Sequence, residues 1–168
     1  MDLVVNVCEN WGIGKDGNLL VSISADLKRF RQLTTGKTVI LGRKTLSTFP
    51  GGRPLKNRTN YILSTSSIPV EGAEVFPNLD ALFAQLGQWN TDLVSVIGGA
   101  SVYEALLPYC TRAYVTKTLL SPKADTYFPN LDKLANWSII KEGPILEENG
   151  IRFQYLDYVN STPLELPK

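Results

Sequence analysis

The stretch Val94-Ser95-Val96-Ile97-Gly98-Gly99-Ala100-Ser101-Val102-Tyr103 decides the predicted fold. The apolar run from Leu93 to Ile97 has the length of one strand, and its lack of alternation is typical of a parallel strand covered on both faces. The glycine pair suits a tight turn, and Val102 to Leu107 predict a helix that ends at Pro108. The stretch therefore predicts a strand–turn–helix unit of an α/β protein, in which ligands dock at the carboxyl ends of strands.

The same alternation of apolar runs and helical patterns continues along the chain. Further strands are predicted at Leu3 to Cys8, Thr38 to Leu41, Asn60 to Leu63 and Arg112 to Thr118. Further helices are predicted at Ala25 to Leu33 and at Asn78 to Leu86, the second capped by Asn78. Residues 1–168 are thus predicted to form a single-domain α/β three-layer sandwich with a mostly parallel central sheet.

The C-terminal tail follows a different pattern. Apolar residues at Trp137 to Ile140 and at Ile151 to Tyr158 flank turn signals at Gly143-Pro144 and Glu148-Asn149-Gly150. Two such runs joined by turns favour an antiparallel hairpin. The central sheet is therefore expected to have an antiparallel C-terminal edge strand.

Composition limits the possible functions. The 168 residues carry 17 Lys and Arg against 16 Asp and Glu, and the formal net charge of +1 argues against a general nucleic-acid-binding protein. Cys8 and Cys110 lie in apolar runs, which favours reduced, buried thiols. No basic leader or long apolar span is visible at the N-terminus, so a cytoplasmic protein without a membrane segment is expected. A monomer without a metal site is the default expectation.

The lack of histidine directs attention to Asp26. With 0 His in the chain, acid–base chemistry near neutral pH falls to a carboxylate, a shifted Lys, Cys or Tyr, or water. A glycine-punctuated loop, Gly12 to Leu19, leads to a helix that Ser24 is placed to cap, with Asp26 in its first turn. One interpretation is structural: a carboxylate in the first turn interacts favourably with the helix dipole. The other is functional: Asp26 shares a helix face with Phe30 and Leu33, where it would be partly desolvated and could accept hydrogen bonds from two adjacent N–H groups of a ligand.

Three segments could hold a phosphate or another anion. They are Gly42 with Arg43-Lys44-Thr45, Ser64-Thr65-Ser66-Ser67, and Gly98-Gly99, and each follows a predicted strand. A solvated basic loop, a polar turn and a tight turn explain the same residues without a ligand. No G-x-G-x-x-G or Walker A pattern is present, so a nucleotide would be bound by another geometry. Arg53 and Arg58 could clamp a carboxylate, although a loop arginine is more often solvated.

In this order and spacing, the segments resemble the dihydrofolate reductase family along essentially the whole chain. The resemblance is carried by Ile13-Gly14 through Gly17-Asn18-Leu19, Asp26-Leu27 with Phe30, Val39 to Gly42 with Arg43-Lys44-Thr45, Gly52-Arg53-Pro54-Leu55 with Arg58, Ile97-Gly98-Gly99 with Val102-Tyr103, Thr116, and Asp125-Thr126-Tyr127-Phe128-Pro129. Each piece is ordinary by itself, and their conjunction is specific.

The resemblance implies NADPH-dependent reduction of 7,8-dihydrofolate to 5,6,7,8-tetrahydrofolate, by hydride transfer to C6 of the pterin and protonation of N5. Asp26 would bind the pterin N3 and 2-amino group, Thr116 would contact that carboxylate, and water would bring the proton. Dihydrofolate and antifolate inhibitors are the implied small-molecule partners, and Arg58 would bind the α-carboxylate of the glutamate tail. The implied substrate-binding residues are Val5, Asn6, Leu27, Phe30, Phe49, Leu55, Arg58 and Ile97.

NADPH is the implied cofactor, with Ile13 and Ile97 flanking the nicotinamide and a cis peptide between Gly98 and Gly99. The implied cofactor-binding residues are Ile13, Gly14, Leu19, Gly42, Arg43, Lys44, Thr45, Leu63, Ser64, Thr65, Gly98, Gly99, Ala100, Ser101, Val102 and Tyr103.

Two positions depart from the family's pattern. Leu20-Val21 stands where the family typically has Pro-Trp, which removes an indole N–H donor and a large apolar face beside the ligand. Asn6 stands where the family usually has a small apolar residue. The first departure affects the expected closure of the loop, substrate affinity and antifolate binding.

Three other functions fit parts of the chain. A reductase of the same fold acting on a ribosylated aminopyrimidine is disfavoured by Asp26, which lies at the start of a helix bearing Leu and Phe, and by Arg58, which suits a tail carboxylate. A module that binds NADPH or folate without turnover would explain Leu20-Val21, but the carboxylate, the glycine pair and the basic turn are all retained. A flavodoxin-like signalling domain lacks the expected Asp cluster at a strand end.

Overall fold

Within residues 1–88 and 90–167, which the computed structural model describes, the chain forms eleven strands and four α-helices. The strands are β1 (Asp2–Cys8), β2 (Gly12–Lys15), β3 (Asn18–Leu19), β4 (Thr38–Gly42), β5 (Thr59–Leu63), β6 (Ala73–Phe76), β7 (Val94–Gly98), β8 (Arg112–Thr118), β9 (Thr126–Tyr127), β10 (Trp137–Glu148) and β11 (Ile151–Asn160). The α-helices are α1 (Ser24–Thr34), α2 (Arg43–Ser47), α3 (Leu79–Leu86) and α4 (Ala100–Leu106). None of these helices is long and apolar enough to cross a membrane.

The central sheet has eight strands in the order β10-β11-β8-β1-β7-β4-β5-β6. From β8 to β6 each strand runs parallel to its neighbours. At the other edge β11 is antiparallel to β8, and β10 is antiparallel to β11. The predicted mostly parallel sheet with an antiparallel C-terminal edge is confirmed.

Hydrophobic side chains cover both faces of this sheet. Along β4, Val39 and Leu41 belong to one buried cluster, whereas Ile40 belongs to another, because successive side chains of a strand point to opposite faces. We call them the Val39 cluster and the Ile40 cluster. Helices α1 and α2 contribute to the Val39 cluster, and α3 and α4 contribute to the Ile40 cluster. Helices therefore lie on both sides of the sheet, as the three-layer prediction requires.

The C-terminal hairpin is longer than predicted. Strands β10 and β11 pair up to a turn at Asn149-Gly150, where φ is 51° and 78°, as a two-residue type I′ turn requires. Gly143-Pro144, predicted as a turn, instead lies inside β10, so that prediction is wrong. The pairing with β11 shifts register between Glu142 and Ile145, and this irregularity accommodates the glycine and the proline within the strand.

A second, smaller sheet has no counterpart in the predicted strands. It has the order β3-β2-β9. Strands β2 and β3 form a hairpin around Asp16-Gly17, whose φ angles are 53° and 78°. The glycine-punctuated loop predicted at residues 12–19 is therefore a β-hairpin that β9 pairs with from one side.

Candidate active site

Asp26 lies at the centre of a group of hydrogen-bonded side chains. It is half-buried in the first turn of α1. The hydroxyl of Thr116 donates to Asp26 Oδ1 at 2.5 Å, and Asn6 Nδ2 donates to Asp26 Oδ2 at 3.0 Å. The hydroxyl of Thr118 donates in turn to Asn6 Oδ1 at 2.9 Å. Because a carboxylate offers about four acceptor positions, Asp26 retains capacity for the two N–H donors of a ligand.

The register of two parallel strands places these polar side chains. The ladder between β1 and β8 sets Asn6 opposite Thr116 and Cys8 opposite Thr118. Val5 of β1 and Val115 of β8 belong to the Ile40 cluster, so the residues that alternate with them face α1 on the other side. The side chain of Val5 therefore does not join the group around Asp26, although the resemblance implies Val5 as a substrate-binding residue.

The start of α1 is held by the C-terminal hairpin. Ser24 is the first helical residue, so the prediction that it caps the helix is wrong; Ile23 occupies the N-cap position without a side-chain cap. The carboxylate of Glu148 instead accepts hydrogen bonds from the N–H groups of Ser24, at 2.7 Å, and Ala25, at 3.3 Å. A carboxylate at this place satisfies N–H groups that lack helical partners and interacts favourably with the helix dipole.

The negative charge of Asp26 affects the pKa of two nearby tyrosines. Burial raises the pKa of Tyr103, and the negative charge of Asp26 raises it further. Burial and then the same charge raise the pKa of Tyr155, whose ring lies 4.0 Å from the guanidinium carbon of Arg29. The Tyr103 hydroxyl donates to the carbonyl of Val4 at 2.6 Å. Both phenols stay protonated near neutral pH, which leaves the acceptor role at this site to Asp26.

Apolar side chains lie close to Asp26 along α1, because Phe30 follows it by one helical turn and packs against the Val39 cluster. Ile97 is buried in the Val39 cluster, and three further implied substrate-binding residues pack against that cluster as partly buried side chains: Phe30, Phe49 and Leu55. Leu27, next to Asp26 in α1, is 51% exposed. The structure thus brings four of the implied substrate-binding residues into one hydrophobic group and leaves a fifth accessible to a ligand.

Arg58 lies at the other end of α1 with a second guanidinium group nearby. Its Nε donates to the carbonyl of Lys56 at 2.8 Å, and its Nη1 donates to the hydroxyl of Thr34 at 3.1 Å. Burial lowers the pKa of Arg58, and the neighbouring charge of Arg31 lowers it further. Two guanidinium groups that are close enough to influence each other's charge attract anionic groups such as carboxylates.

Two glycines of the implied cofactor site allow neighbouring segments of the chain to pack closely, because they have no Cβ. A Cβ on Gly99 would lie 3.2 Å from Thr45 Oγ1, and a Cβ on Gly42 would lie 3.4 Å from Val102 Cγ2. The peptide bond between Gly98 and Gly99 is cis, as the resemblance implies. The carboxyl ends of the neighbouring strands β4 and β7 therefore meet the starts of α2 and α4 at one place.

Arg43 connects this place to the loop after β5. Its Nε donates to the hydroxyl of Ser64 at 3.0 Å, and its Nη2 donates to the carbonyls of Ser66, at 3.2 Å, and Ile68, at 2.7 Å. Within the described residues Nη1 has no hydrogen-bond partner. Among the other implied cofactor residues on these segments, the exposed ones are Lys44, Thr65 and Ser101, the half-buried ones are Leu63 and Ala100, and Tyr103 is buried.

The β2–β3 hairpin is tied to the segment before β9. The carboxylate of Asp125 accepts a hydrogen bond from the N–H of Asp16 at 2.9 Å, and the Asp125 N–H donates to the carbonyl of Gly14 at 3.1 Å. Ile13 is partly buried against the Ile40 cluster, whereas Leu19 is 67% exposed. The hairpin is therefore anchored on one side and presents an exposed leucine on the other.

Four residues near the site are absent from the sequence-based set. They are Arg31, Thr118, Asp125 and Glu148, and each makes its contact across a large sequence separation. Of the four, only Asp125 could have been selected from the sequence, because it is the first residue of one of the segments that carry the resemblance. Strand register decides the contact of Thr118, and the length of the C-terminal hairpin decides that of Glu148. Arg31 influences Arg58 from α1.

Comparisons with known proteins identify relatives over most of the chain. A family model described as dihydrofolate reductase matches residues 1–160. The dihydrofolate reductase of Drosophila melanogaster is 37% identical over 173 aligned residues, which cover 92% of this chain and 94% of that protein. The dihydrofolate reductase of Bacillus subtilis (strain 168) is 35% identical over 150 residues, covering 87% and 86%.

A solved structure is similar over nearly the whole chain. It is the dihydrofolate reductase from Enterococcus faecalis complexed with NADP(H) and RAB-propyl, which superposes with a TM-score of 0.83 at 29% sequence identity. The superposition covers 95% of each chain. This chain belongs to the dihydrofolate reductase family.

Proposed function

We propose that the chain, acting as one domain, catalyses the NADPH-dependent reduction of 7,8-dihydrofolate to 5,6,7,8-tetrahydrofolate. The observation that carries this proposal is the Asp26 carboxylate, which accepts hydrogen bonds from Thr116 and Asn6 and lies one helical turn before Phe30, a side chain packed against the Val39 cluster. Family membership supports the same reaction.

Asp26 is proposed to bind and orient the pterin. Its remaining acceptor positions match two adjacent donors, the pterin N3–H and the 2-amino group, and paired hydrogen bonds to a carboxylate are stronger and more directional than neutral ones. A carboxylate at that edge favours extra positive charge on the ring, so it raises the proton affinity of N5. Water delivers the proton, and neither neighbouring tyrosine is needed as an acid or base.

The residues present fit a dinucleotide cofactor. Gly99 lies against Thr45 and Gly42 lies against Val102, since a Cβ on either glycine would approach those side chains at 3.2 and 3.4 Å. This close packing brings the starts of α2 and α4 together, and the cofactor is proposed to bind there. Arg43, whose Nη1 has no partner within the described residues, and the hydroxyls of Thr45, Ser64 and Thr65 would hold the phosphates. When bound, NADPH supplies the hydride that the pterin receives at C6.

Arg58 and Arg31 are proposed to bind the glutamate tail. Thr34 and Lys56 hold two nitrogens of Arg58 and thereby fix the plane of its guanidinium group. Nη2 of Arg58 makes no hydrogen bond within the described residues and is available to the α-carboxylate. Arg31 adds a second positive charge for the same tail.

The test is an assay of NADPH oxidation by the purified chain. We expect loss of NADPH absorbance only when dihydrofolate is also present, and inhibition by a 2,4-diaminopyrimidine. Binding of both ligands without turnover would identify a binding module and overturn the enzymatic proposal. Turnover with a ribosylated aminopyrimidine, and none with dihydrofolate, would identify the other reductase class.

A further inference from the structure

We propose that Asn6 is a positioning residue that holds the Asp26 carboxylate in its ligand-binding orientation, and that Thr118 fixes Asn6 in turn. The inference rests on the proposed function, because that function makes Asp26 the acceptor for the pterin. It does not follow from family membership, since the family usually has a small apolar residue at this position.

The direction of the Asn6 amide follows from its two neighbours. With Nδ2 toward Asp26, the amide donates to the carboxylate at 3.0 Å, and its Oδ1 accepts from Thr118 at 2.9 Å. In the flipped orientation Asn6 Oδ1 would face a carboxylate oxygen at the same distance, and two acceptors repel each other. The carboxylate and the Thr118 hydroxyl therefore select one orientation together.

This short chain of hydrogen bonds is partly shielded from solvent. Thr118 is 0% exposed and Thr116 is 4% exposed, while Asn6 and Asp26 are half-buried. Hydrogen bonds in such surroundings are stronger than in water, and a buried donor or acceptor left without a partner is costly. The register of β1 and β8 holds all three strand residues on one rigid ladder.

Donors on both oxygens restrict rotation of the carboxylate. Thr116 alone would hold Oδ1 and leave the group free to turn about its Cβ–Cγ bond. Asn6 holds Oδ2 as well, so the plane of the carboxylate is set before a ligand arrives. A preset plane lowers the ordering cost of a two-pronged hydrogen bond to an adjacent pair of ligand N–H groups.

The first experiment measures the dissociation constant of a 2,4-diaminopyrimidine in three variants. We expect Asn6→Ala to weaken binding about tenfold, the equivalent of about 1.4 kcal/mol. Thr118→Val keeps the shape of the side chain but removes the hydroxyl. We expect the dissociation constant to rise about threefold, because Asn6 loses one hydrogen-bond partner. Thr118→Ser keeps the hydroxyl and should restore most of that affinity. Unchanged or tighter binding by Asn6→Ala would overturn the proposal, because Asn6 would then be neutral or would compete with the ligand.

A double-mutant cycle separates positioning from general packing. If Thr118 acts through Asn6, the Thr118→Val effect should disappear in the Asn6→Ala background, whereas independent structural effects would add. Thr111→Val is a control for loss of a threonine hydroxyl away from the site, because this exposed threonine donates to the Met1 carbonyl at 3.2 Å just before the opposite end of β8. NADPH affinity should stay within about twofold in every variant. Additive effects of the two substitutions on inhibitor affinity would contradict the proposal that Thr118 acts through Asn6.

A ligand-free measurement distinguishes failure of this inference from failure of the proposed function. In NMR spectra of the free protein, one Asn6 side-chain amide proton should resonate downfield because of its bond to Asp26, and Asp26→Ala should remove that shift. A chain that neither binds folates nor turns them over, yet shows the shift, would refute the proposed function alone. An unshifted Asn6 amide would refute the positioning role whatever the enzymatic activity.

Discussion

The carboxylate of Asp125 accepts a 2.9 Å hydrogen bond from the backbone N–H of Asp16, at the tip of the β2–β3 hairpin. The hairpin carries three residues of the implied cofactor site, Ile13, Gly14 and Leu19. Strands β2 and β3 are short, with 4 and 2 residues, so their own ladder holds the hairpin weakly. Asp125 thus adds a side-chain contact at the point where the ladder ends.

Removing this contact should loosen the hairpin without unfolding the protein. For Asp125→Ala we expect faster amide hydrogen exchange in residues 12–19, a change in melting temperature below about 2 °C, and a KM for NADPH raised about threefold. Asp125→Asn retains an acceptor oxygen and should be intermediate. Hairpin exchange rates equal to those of the wild-type protein would show that the ladder alone orders this segment.

The same contact predicts a dependence on pH. Hydrogen bonds from the Asp16 N–H and then from the Thr126 hydroxyl hold the pKa of Asp125 below its usual value. A group with a lowered folded-state pKa contributes stability above its unfolded value, about 3.9 for Asp, and loses the contribution as the pH falls through the folded value. We expect the Asp16 amide proton to keep its chemical shift from pH 7 to about pH 4 and to move below that. Asp125→Asn should lack this step, and a wild-type transition above pH 4 would contradict the assignment.

Asp26→Asn should separate substrate binding from cofactor binding. The substitution removes the negative charge that we propose to pair with the pterin edge. It also replaces one carboxylate oxygen by an NH₂ group, which would face the donor of Thr116 or Asn6. We expect kcat/KM for dihydrofolate to fall about a hundredfold near neutral pH, since a hydrogen bond to a charged group contributes about 1.5–3 kcal/mol. NADPH affinity should be preserved. Asp80→Asn is the control, because Asp80 is also a first-turn acid, in α3. Equal turnover of Asp26→Asn and wild type would remove Asp26 from the mechanism.

Local sequence patterns predict those strands and helices whose own side chains are buried in the core. Strands such as β4 and β7 are buried on both faces, and their continuous apolar runs are visible in the sequence. The short strands β2, β3 and β9 carry polar residues and glycine, because pairing with each other rather than burial defines them. Asn6 and Thr118 meet only through the register of β1 and β8. Glu148 reaches Ser24 only because β10 continues through Gly143-Pro144, a sequence that local rules interpret as a turn.

Val21→Trp should change inhibitor binding more than cofactor binding. Val21 lies between the β2–β3 hairpin and α1, and Leu20 packs against β2, since a Cβ on Gly12 would lie 3.0 Å from Leu20 Cδ1. An indole at position 21 adds apolar area and an N–H donor to the segment that joins the β2–β3 hairpin to α1, the helix that carries Asp26. We expect several-fold tighter binding of a 2,4-diaminopyrimidine and little change for NADPH, with or without Leu20→Pro. Identical inhibitor affinities would show that this departure from the family pattern is neutral.

Glu148 should stabilise the helix that carries Asp26. Its two carboxylate oxygens accept from the N–H groups of Ser24 and Ala25, at a helix start whose N-cap residue, Ile23, offers no side-chain acceptor. Loss of an N-terminal cap costs about 1 kcal/mol, which for a protein of this size lowers the melting temperature by about 2–4 °C. We therefore expect that shift for Glu148→Ala and about half of it for Glu148→Gln, which keeps one acceptor oxygen but no charge. Glu147→Ala, at the neighbouring exposed position, is the control and should leave the melting temperature unchanged. Because Asp26 lies two residues after Ser24, Glu148→Ala should also raise the KM for dihydrofolate several-fold, and a variant that melts early but binds normally would show that Asp26 is held by Asn6 and Thr116 alone.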